Sequence, residues 1–228
     1  MARPYTQPPP QKTGRSRLAQ WWRELREGAG LDQHQVAAKL GCSATHLSNI
    51  EHARRVPSFA LLTRYEALVG GEGILRSMWA WATAERAEDL AGVRTVTDVR
   101  TTPGDRAKFV RYLAARGEPV FAPLQRFTPG WEIRNIGRVT WKRRFLQQVG
   151  PRAPLYAPVS RDERTAVPTT KPGETATIKV PMLAPQLPGE SVTYFHMVHE
   201  DGSLCFPDRY ADGVWVQITV RQPTRLPG

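Results

Sequence analysis

Proline divides this chain more sharply than any other residue. Between Ser16 and Ala87 there is only Pro57, whereas Pro103, Pro119, Pro123, Pro129, Pro151, Pro154, Pro158, Pro168, Pro172, Pro181, Pro185, Pro188 and Pro207 punctuate the second half. Proline fixes φ, lacks an N–H and breaks a helix interior, so the second stretch cannot be a run of long helices. The first stretch can. Its apolar residues recur at intervals of three and four: Leu18, Trp21, Trp22, Leu25; Val36, Ala37, Leu40; Leu47, Ile50; Leu61, Leu62, Tyr65, Leu68; Ile74, Leu75, Met78, Trp79. That spacing predicts a series of short amphipathic helices. In the second stretch ETATIKV, SVTYFHMV and GVWVQITV alternate with period two and are separated by Pro-Gly and Asp-Gly turns, which predicts an antiparallel β-sandwich. The expected fold class is multidomain, an all-α domain followed by an all-β sandwich. The expected boundaries are a flexible basic tail over 1–15, helices over 16–87, a linker over 88–104, the sandwich over 105–221 and a tail over 222–228.

The 228 residues carry 32 Lys plus Arg against 21 Asp plus Glu, a net charge of +11 with a pI near 10.2. A balance this basic favours a polyanionic partner. No apolar run approaches the roughly 18 residues of a membrane span, and the N-terminus has no apolar signal region, so a cytoplasmic protein with no membrane association is expected. Cys42 and Cys205 make neither a disulfide framework nor a zinc site. His196 and His199 lie three apart on a predicted strand and point to opposite faces, while Cys42 and His46 supply at most half a metal site. With no phosphate-binding loop, nucleophile elbow or zinc-protease motif, we expect no enzyme, no catalytic residue, no cofactor and no metal.

Within the helical half, Asp32 followed three residues later by Gln35 has the form of a capping box. A helix should run from there to Leu40 and end at Gly41. Ser43 is placed to cap the next helix, whose Leu47 and Ile50 share one face. Two short helices joined by a glycine turn make a helix-turn-helix. The stretch resembles the Xre/Cro phage-repressor family over about 60 residues, through WWRELR, Gly30-Leu31-Asp32-Gln33, Leu40-Gly41, Ser43 to Glu51, and the exit Arg54-Arg55-Val56-Pro57-Ser58. The resemblance implies that the third helix enters the major groove of double-stranded DNA. Gln33 would then hold the backbone, and Arg54 and Arg55 would meet phosphates. Ser43, Ala44, Thr45, His46, Ser48 and Asn49 complete the DNA-binding set, with Ala44, Thr45, His46 and Asn49 facing the bases. Asn49 suits adenine, and Ala44 and Thr45 suit a thymine methyl. Ala44 stands where the family often has an arginine. Of the adjacent Trp21 and Trp22, one should be core and one an interface residue.

In the second half, Trp131, Asn135, Gly137 and Trp141 read as strand, turn, strand, with Trp131 and Ile133 on one face and the indoles filling the core. With Pro172-Gly173, Pro188-Gly189, Asp201-Gly202 and Trp215 following in order, residues 105–221 resemble the FW, or four-tryptophan, Ig-like domain. That domain is known from a selective-autophagy receptor and from bacterial proteins, some joined to helix-turn-helix domains. Trp131, Trp141 and Trp215 match three of its tryptophans, and Phe195 stands at the remaining position. The resemblance implies a non-catalytic module that recognises a protein. Arg134, Arg138, Lys142, Arg143 and Arg144 form a basic cluster suited to phosphates or an acidic surface.

Together these features lead us to expect a nucleoid-associated transcriptional regulator that binds DNA sequence-specifically. A homodimer is expected, and the broad apolar face ending in Trp79 and Trp81 should pack on a second subunit, the candidate dimer contact, or on the β half; an unidentified protein would bind the Ig-like module. The alternative is an assembly scaffold whose helix-turn-helix docks proteins and binds DNA only weakly.

Overall fold

The computed structural model describes residues 13–71, 73–90, 102–113, 120–150, 152–207 and 213–222. Helix α1 is Gly14–Gly28, capped by Thr13, whose side chain accepts from the Ser16 N–H. It therefore starts two residues inside the segment expected to be tail; residues 1–12 of that segment, and the tail from 223, lie outside the described residues. The Asp32–Gln35 capping box forms in both directions and opens α2, Gln33–Leu40. Gly41 ends it at φ 65°, in the left-handed region that glycine enters without strain. Ser43 caps α3, Ala44–Glu51, and Ser58 caps α4, Phe59–Val69. The last helix, α5, is Leu75–Leu90 and so runs into the expected linker.

The apolar positions picked out by their spacing close around one core. Leu18, Trp22, Val36, Leu40, Leu47, Ile50, Leu62, Tyr65, Ile74, Leu75 and Met78 are all buried, and the Trp22 and Tyr65 rings stack at 3.8 Å. One carboxylate lies in this core at a net disadvantage. Glu66 is buried, its Oε1 accepts from the Leu75 N–H at 2.8 Å, and its Oε2 lies 3.6 Å from Arg76. Burial pushes the Glu66 carboxyl above the ordinary glutamate range, and the Leu75 N–H and the Arg76 charge offset this only in part. A carboxyl whose folded pKa is raised opposes folding once it is ionised in both states, and makes no difference below its unfolded pKa of about 4.3. Glu66→Gln is therefore expected to stabilise the protein at pH 7, with the gain vanishing by pH ~4. Urea unfolding at the two pH values measures the difference.

The strands are β1 Ala107–Leu113, β2 Val120–Phe121, β3 Arg126–Phe127, β4 Gly130–Asn135, β5 Arg144–Gln148, β6 Val159–Ser160, β7 Arg164–Val167, β8 Thr175–Lys179, β9 Met182–Leu183, β10 Gly189–Val198 and β11 Val214–Val220. They form a three-stranded sheet β1-β4-β8, a five-stranded sheet β2-β11-β10-β5-β7 and a small sheet β3-β9-β6. The sheets are antiparallel except that β2 lies parallel to β11, a departure from the all-antiparallel expectation. Trp131, Ile133, Ala176 and Ile178 of the first sheet meet Leu146, Phe195, Met197, Val216 and Ile218 of the second in one core.

β10 is buried along both faces from Ser191 to Val198. Phe195 and Met197 enter the sandwich, whereas Val192 and Tyr194 belong to the helical core. The helices thus pack on the outer face of the five-stranded sheet along β10. The Trp21 Nε1–H donates to the Tyr194 hydroxyl at 3.2 Å, and the buried Arg17 guanidinium sits 3.7 Å over the Tyr194 ring and 5.4 Å from Trp81. Trp79 packs beside Phe59 and Tyr156, with its indole N–H bonded to the Pro57 carbonyl at 2.9 Å. The Arg76 side chain donates to the Pro188 carbonyl at 3.1 Å. At the far end Glu85 of α5 accepts from the Gly14 and Arg15 N–H groups that open α1, at 2.7 and 3.2 Å. Of the two expected partners for the apolar face of α5, the β half is the one found: the sandwich of the same chain takes up its Trp79 and Trp81 side, which corrects the candidate dimer contact.

Candidate nucleic-acid interface and the sandwich motif residues

The helix-turn-helix geometry is pinned from α3. Glu51, its last residue, is buried, and the Arg26 guanidinium of α1 grips its carboxylate through Nε at 2.6 Å and Nη2 at 3.0 Å. Gln33, opening α2, donates its amide N–H to the same carboxylate at 2.8 Å, and Arg23 donates to the Glu51 carbonyl at 2.8 Å. Burial alone would push the Glu51 carboxyl up. The bonds from Arg26 and Gln33 and the charges of Arg26 and Arg23 outweigh that and hold it below the ordinary glutamate range. One carboxylate thereby fixes three helices.

Above this anchor, Thr45 is exposed and His46, Ser48 and Asn49 are half-exposed along α3, while Ala44 packs against the core from its first turn. Ser43 is committed as a cap, accepting from the His46 N–H at 3.1 Å. The chain leaves α3 through Ala53 at φ 57°, and the Asn49 carbonyl accepts from both Arg54 and Arg55 N–H groups at 2.8 and 3.2 Å. This folds Arg54 and Arg55, both exposed, back beside the helix. Arg55 Nη1 stands 3.4 Å from His46 Nδ1. A guanidinium is donor only, so the imidazole turns its Nδ1 lone pair to Arg55. Neither Arg54 nor Arg55 meets a carboxylate among the described residues. Glu51 went unassigned in the sequence reading although it closes the Ser43–Glu51 motif; the signal was a carboxylate ending a helix whose spacing makes it inward-facing.

In the sandwich the motif residues turn out to be mutual supports. Asn135 is fully buried: its Oδ1 accepts from the Gly137 N–H at 3.0 Å, and its Nδ2 donates to the Val139 and Thr170 carbonyls at 2.8 and 3.1 Å. A Cβ on Gly137 would lie 2.5 Å from the Gly104 carbonyl oxygen, so the turn admits no side chain there. The Trp141 indole N–H donates to Asp105 at 3.0 Å, and Asp105 pairs at 2.7 Å with Arg144, whose side chain is 3% exposed. Arg144 is therefore structural and leaves the expected basic cluster, because it spans the buried space between Asp105 and the Trp141 and Phe206 rings. Trp131 is buried against Phe195 at 5.4 Å, and its indole N–H reaches the Trp215 carbonyl at 3.2 Å. Trp215 itself is 52% exposed. Unlike the Trp131 and Trp141 indoles it lies outside the core, opposite Tyr194 on the outer face of the sheet.

Comparison with known proteins agrees with both halves. A family described as a helix-turn-helix domain matches residues 17–77, and one described as the Ig-like domain from next to the BRCA1 gene matches residues 116–220. The chain joins a helix-turn-helix domain to an Ig-like domain. The Ig-like match begins after β1, yet β1 pairs along the length of β4. Among solved structures, an HTH_3 family transcriptional regulator from Vibrio cholerae is similar at 15% identity over 75% of this chain and 97% of that one, with a TM-score of 0.23. A hydroxypropylphosphonic acid epoxidase from S. wedmorenis is similar at 12% identity over 82% and 97%, with a TM-score of 0.25. At these TM-scores neither bears on function. No curated protein matches. Among the described residues no helix is long and apolar enough to cross a membrane, and no His, Cys, Asp and Glu group is placed to hold a metal.

Proposed function

We propose that the protein is a sequence-specific, Xre-type DNA-binding transcriptional regulator of the nucleoid, a binding protein and not an enzyme. The observation that carries this is the polar ridge of α3, with Thr45, His46, Ser48 and Asn49 presented beside Arg54 and Arg55, two cations without a carboxylate partner among the described residues. In the groove Thr45 and Asn49 read base edges, Ser43 holds the helix entry, Arg54 and Arg55 meet phosphates, and the Gln33 amide on its Glu51 anchor faces the backbone. A single helix of this size reads only a few base pairs, so a homodimer on a two-fold site follows, through a surface other than Trp79 and Trp81. The Ig-like, FW-type domain serves as the protein-contact module, and the exposed Trp215 indole is the kind of anchor such contacts use.

Thr45→Ala combined with Asn49→Ala is expected to weaken operator binding by about 1–3 kcal/mol per lost base contact while leaving binding to random duplex nearly unchanged. The test is to sequence genomic fragments retained by wild type and variant at ~150 mM salt, where backbone-only binding is suppressed. An inverted repeat enriched by the wild type and lost in the variant supports the regulator. Uniform, salt-sensitive retention by both supports the assembly scaffold instead.

A further inference from the structure

The three-stranded sheet has a second face. Because Trp131, Ile133, Ala176 and Ile178 point into the sandwich, the alternate residues point out. The register places Lys108, Arg134 and Thr175 in one cross-strand row, Arg111, Glu132 and Thr177 in the next, and Lys179 beyond, opposite Gly130. All are exposed except Glu132, which is half-buried. Arg111 takes up that carboxylate with two bonds of 2.8 Å. Lys108, Arg134 and Lys179 have no carboxylate partner among the described residues; the Arg134 Nε–H donates only to the Gly173 carbonyl, at 3.0 Å. Beside the Arg111–Glu132 pair, the face thus carries three cations that no carboxylate neutralises among the described residues.

Two features decide what it suits. First, its two paired central rows hold only charged and hydroxyl side chains, and the apolar residues of this face, Val110 at the bulge and Leu113, are confined to the edge strand β1. Protein interfaces are centred on aromatic or apolar anchors and are depleted in lysine, whereas Lys, Arg and Thr side chains are the usual partners of phosphate oxygens. Second, the helices pack on the outer face of the other sheet along β10, and packed sheets lie about 10 Å apart. The basic face therefore looks away from the sheet face on which the helices pack, on the opposite side of the sandwich, and shares no residue with α3.

We propose that the outer face of the β1-β4-β8 sheet is a sequence-independent docking surface for the phosphate backbone of nucleic acid, and that one molecule thereby holds two duplex segments at once. This stands apart from the reading of bases by α3, since neither surface uses a residue of the other.

The test uses the full chain, a bead-bound duplex and a labelled second duplex of random sequence, with Lys108→Gln, Arg134→Gln and Lys179→Gln combined in one variant. All three are exposed side chains, and circular dichroism checks that the variant folds. The wild type is expected to capture the second duplex, with capture declining steeply as salt rises. The triple variant should still bind the first duplex but capture the second at least about tenfold less well, with a salt slope shallower by about 3, roughly 0.9 per phosphate contact removed. Capture by the variant equal to wild type overturns the proposal, and so does a wild type that binds one duplex and captures no other. Poly-L-glutamate bound by the wild type and not by the variant, without duplex capture, reassigns the face to an acidic protein. Failure of α3 is read separately, because Thr45→Ala with Asn49→Ala removes sequence preference without touching this face.

Discussion

Asp105→Ala is expected to destabilise the sandwich by about 3–5 kcal/mol, the range for removing one member of a buried ion pair. Three groups depend on this carboxylate. Arg144, 3% exposed, loses its counter-charge at 2.7 Å and cannot turn to water. The Trp141 indole N–H loses its acceptor at 3.0 Å while the ring stays fully buried. The Gly104–Arg106 segment, against which the Asn135–Gly137 turn closes, loses its tether to the core. Asp105→Asn keeps an acceptor for Trp141 and the shape of the site but removes the charge facing Arg144, so it should fall between wild type and Ala. Replacing Arg144 by Met together with Asp105→Ala should recover much of the loss, since a buried pair exchanged for apolar volume is often near neutral. Urea unfolding followed by tryptophan fluorescence ranks the four proteins. An Asp105→Ala midpoint equal to wild type would refute a structural role for the pair.

Glu51→Ala carries a comparable expected loss, about 3–5 kcal/mol, because it strands the Arg26 guanidinium, whose side chain is only 12% exposed, and frees Gln33. Its pH dependence runs opposite to that of Glu66. The Glu51 carboxyl is held below the ordinary range when folded, so its contribution is complete above the unfolded value of about 4.3 and fades as pH drops through the lower folded value. Wild type and Glu51→Gln should therefore differ most at neutral pH and converge in acid. DNA binding should weaken as well, through loosening of α2 against α3 and not through lost contacts. A stability gap independent of pH would place the effect in packing and not in the ion pair.

Local signals were the legible part of this protein. The Asp32–Gln35 box, the Gly41 turn and the Ser43 cap all depend on neighbours within four residues, and each formed as the spacing indicated. That one of Trp21 and Trp22 is core and the other an interface residue followed from the helical angle between adjacent residues; that Trp22 is the core member did not. Long-range partners were not legible. Nothing local tells that Arg144 is buried on Asp105 while Arg143 beside it is exposed, or that Trp215 stands in solvent while Trp131 is enclosed. The alternation in SVTYFHMV gave the strand but not the burial of its second face, which depends on helices more than a hundred residues earlier. The apolar breadth of α5 was visible, but not which of its two candidate partners, a second subunit or the β half, it rests on.

Tyr194 sits on a strand of the Ig-like domain yet belongs to the helical core, with Arg17, Trp21 and Trp81 gathered around it. Severing the chain between α5 and β1 would therefore leave a raw surface on each piece. The helices would lose Val192 and Tyr194 from their interior and bare the Trp21 and Trp81 rings, and the sandwich would expose the outer side of its longest strand. Grafting either piece onto another protein would transplant that wound with it, so what is portable in this architecture is the pair.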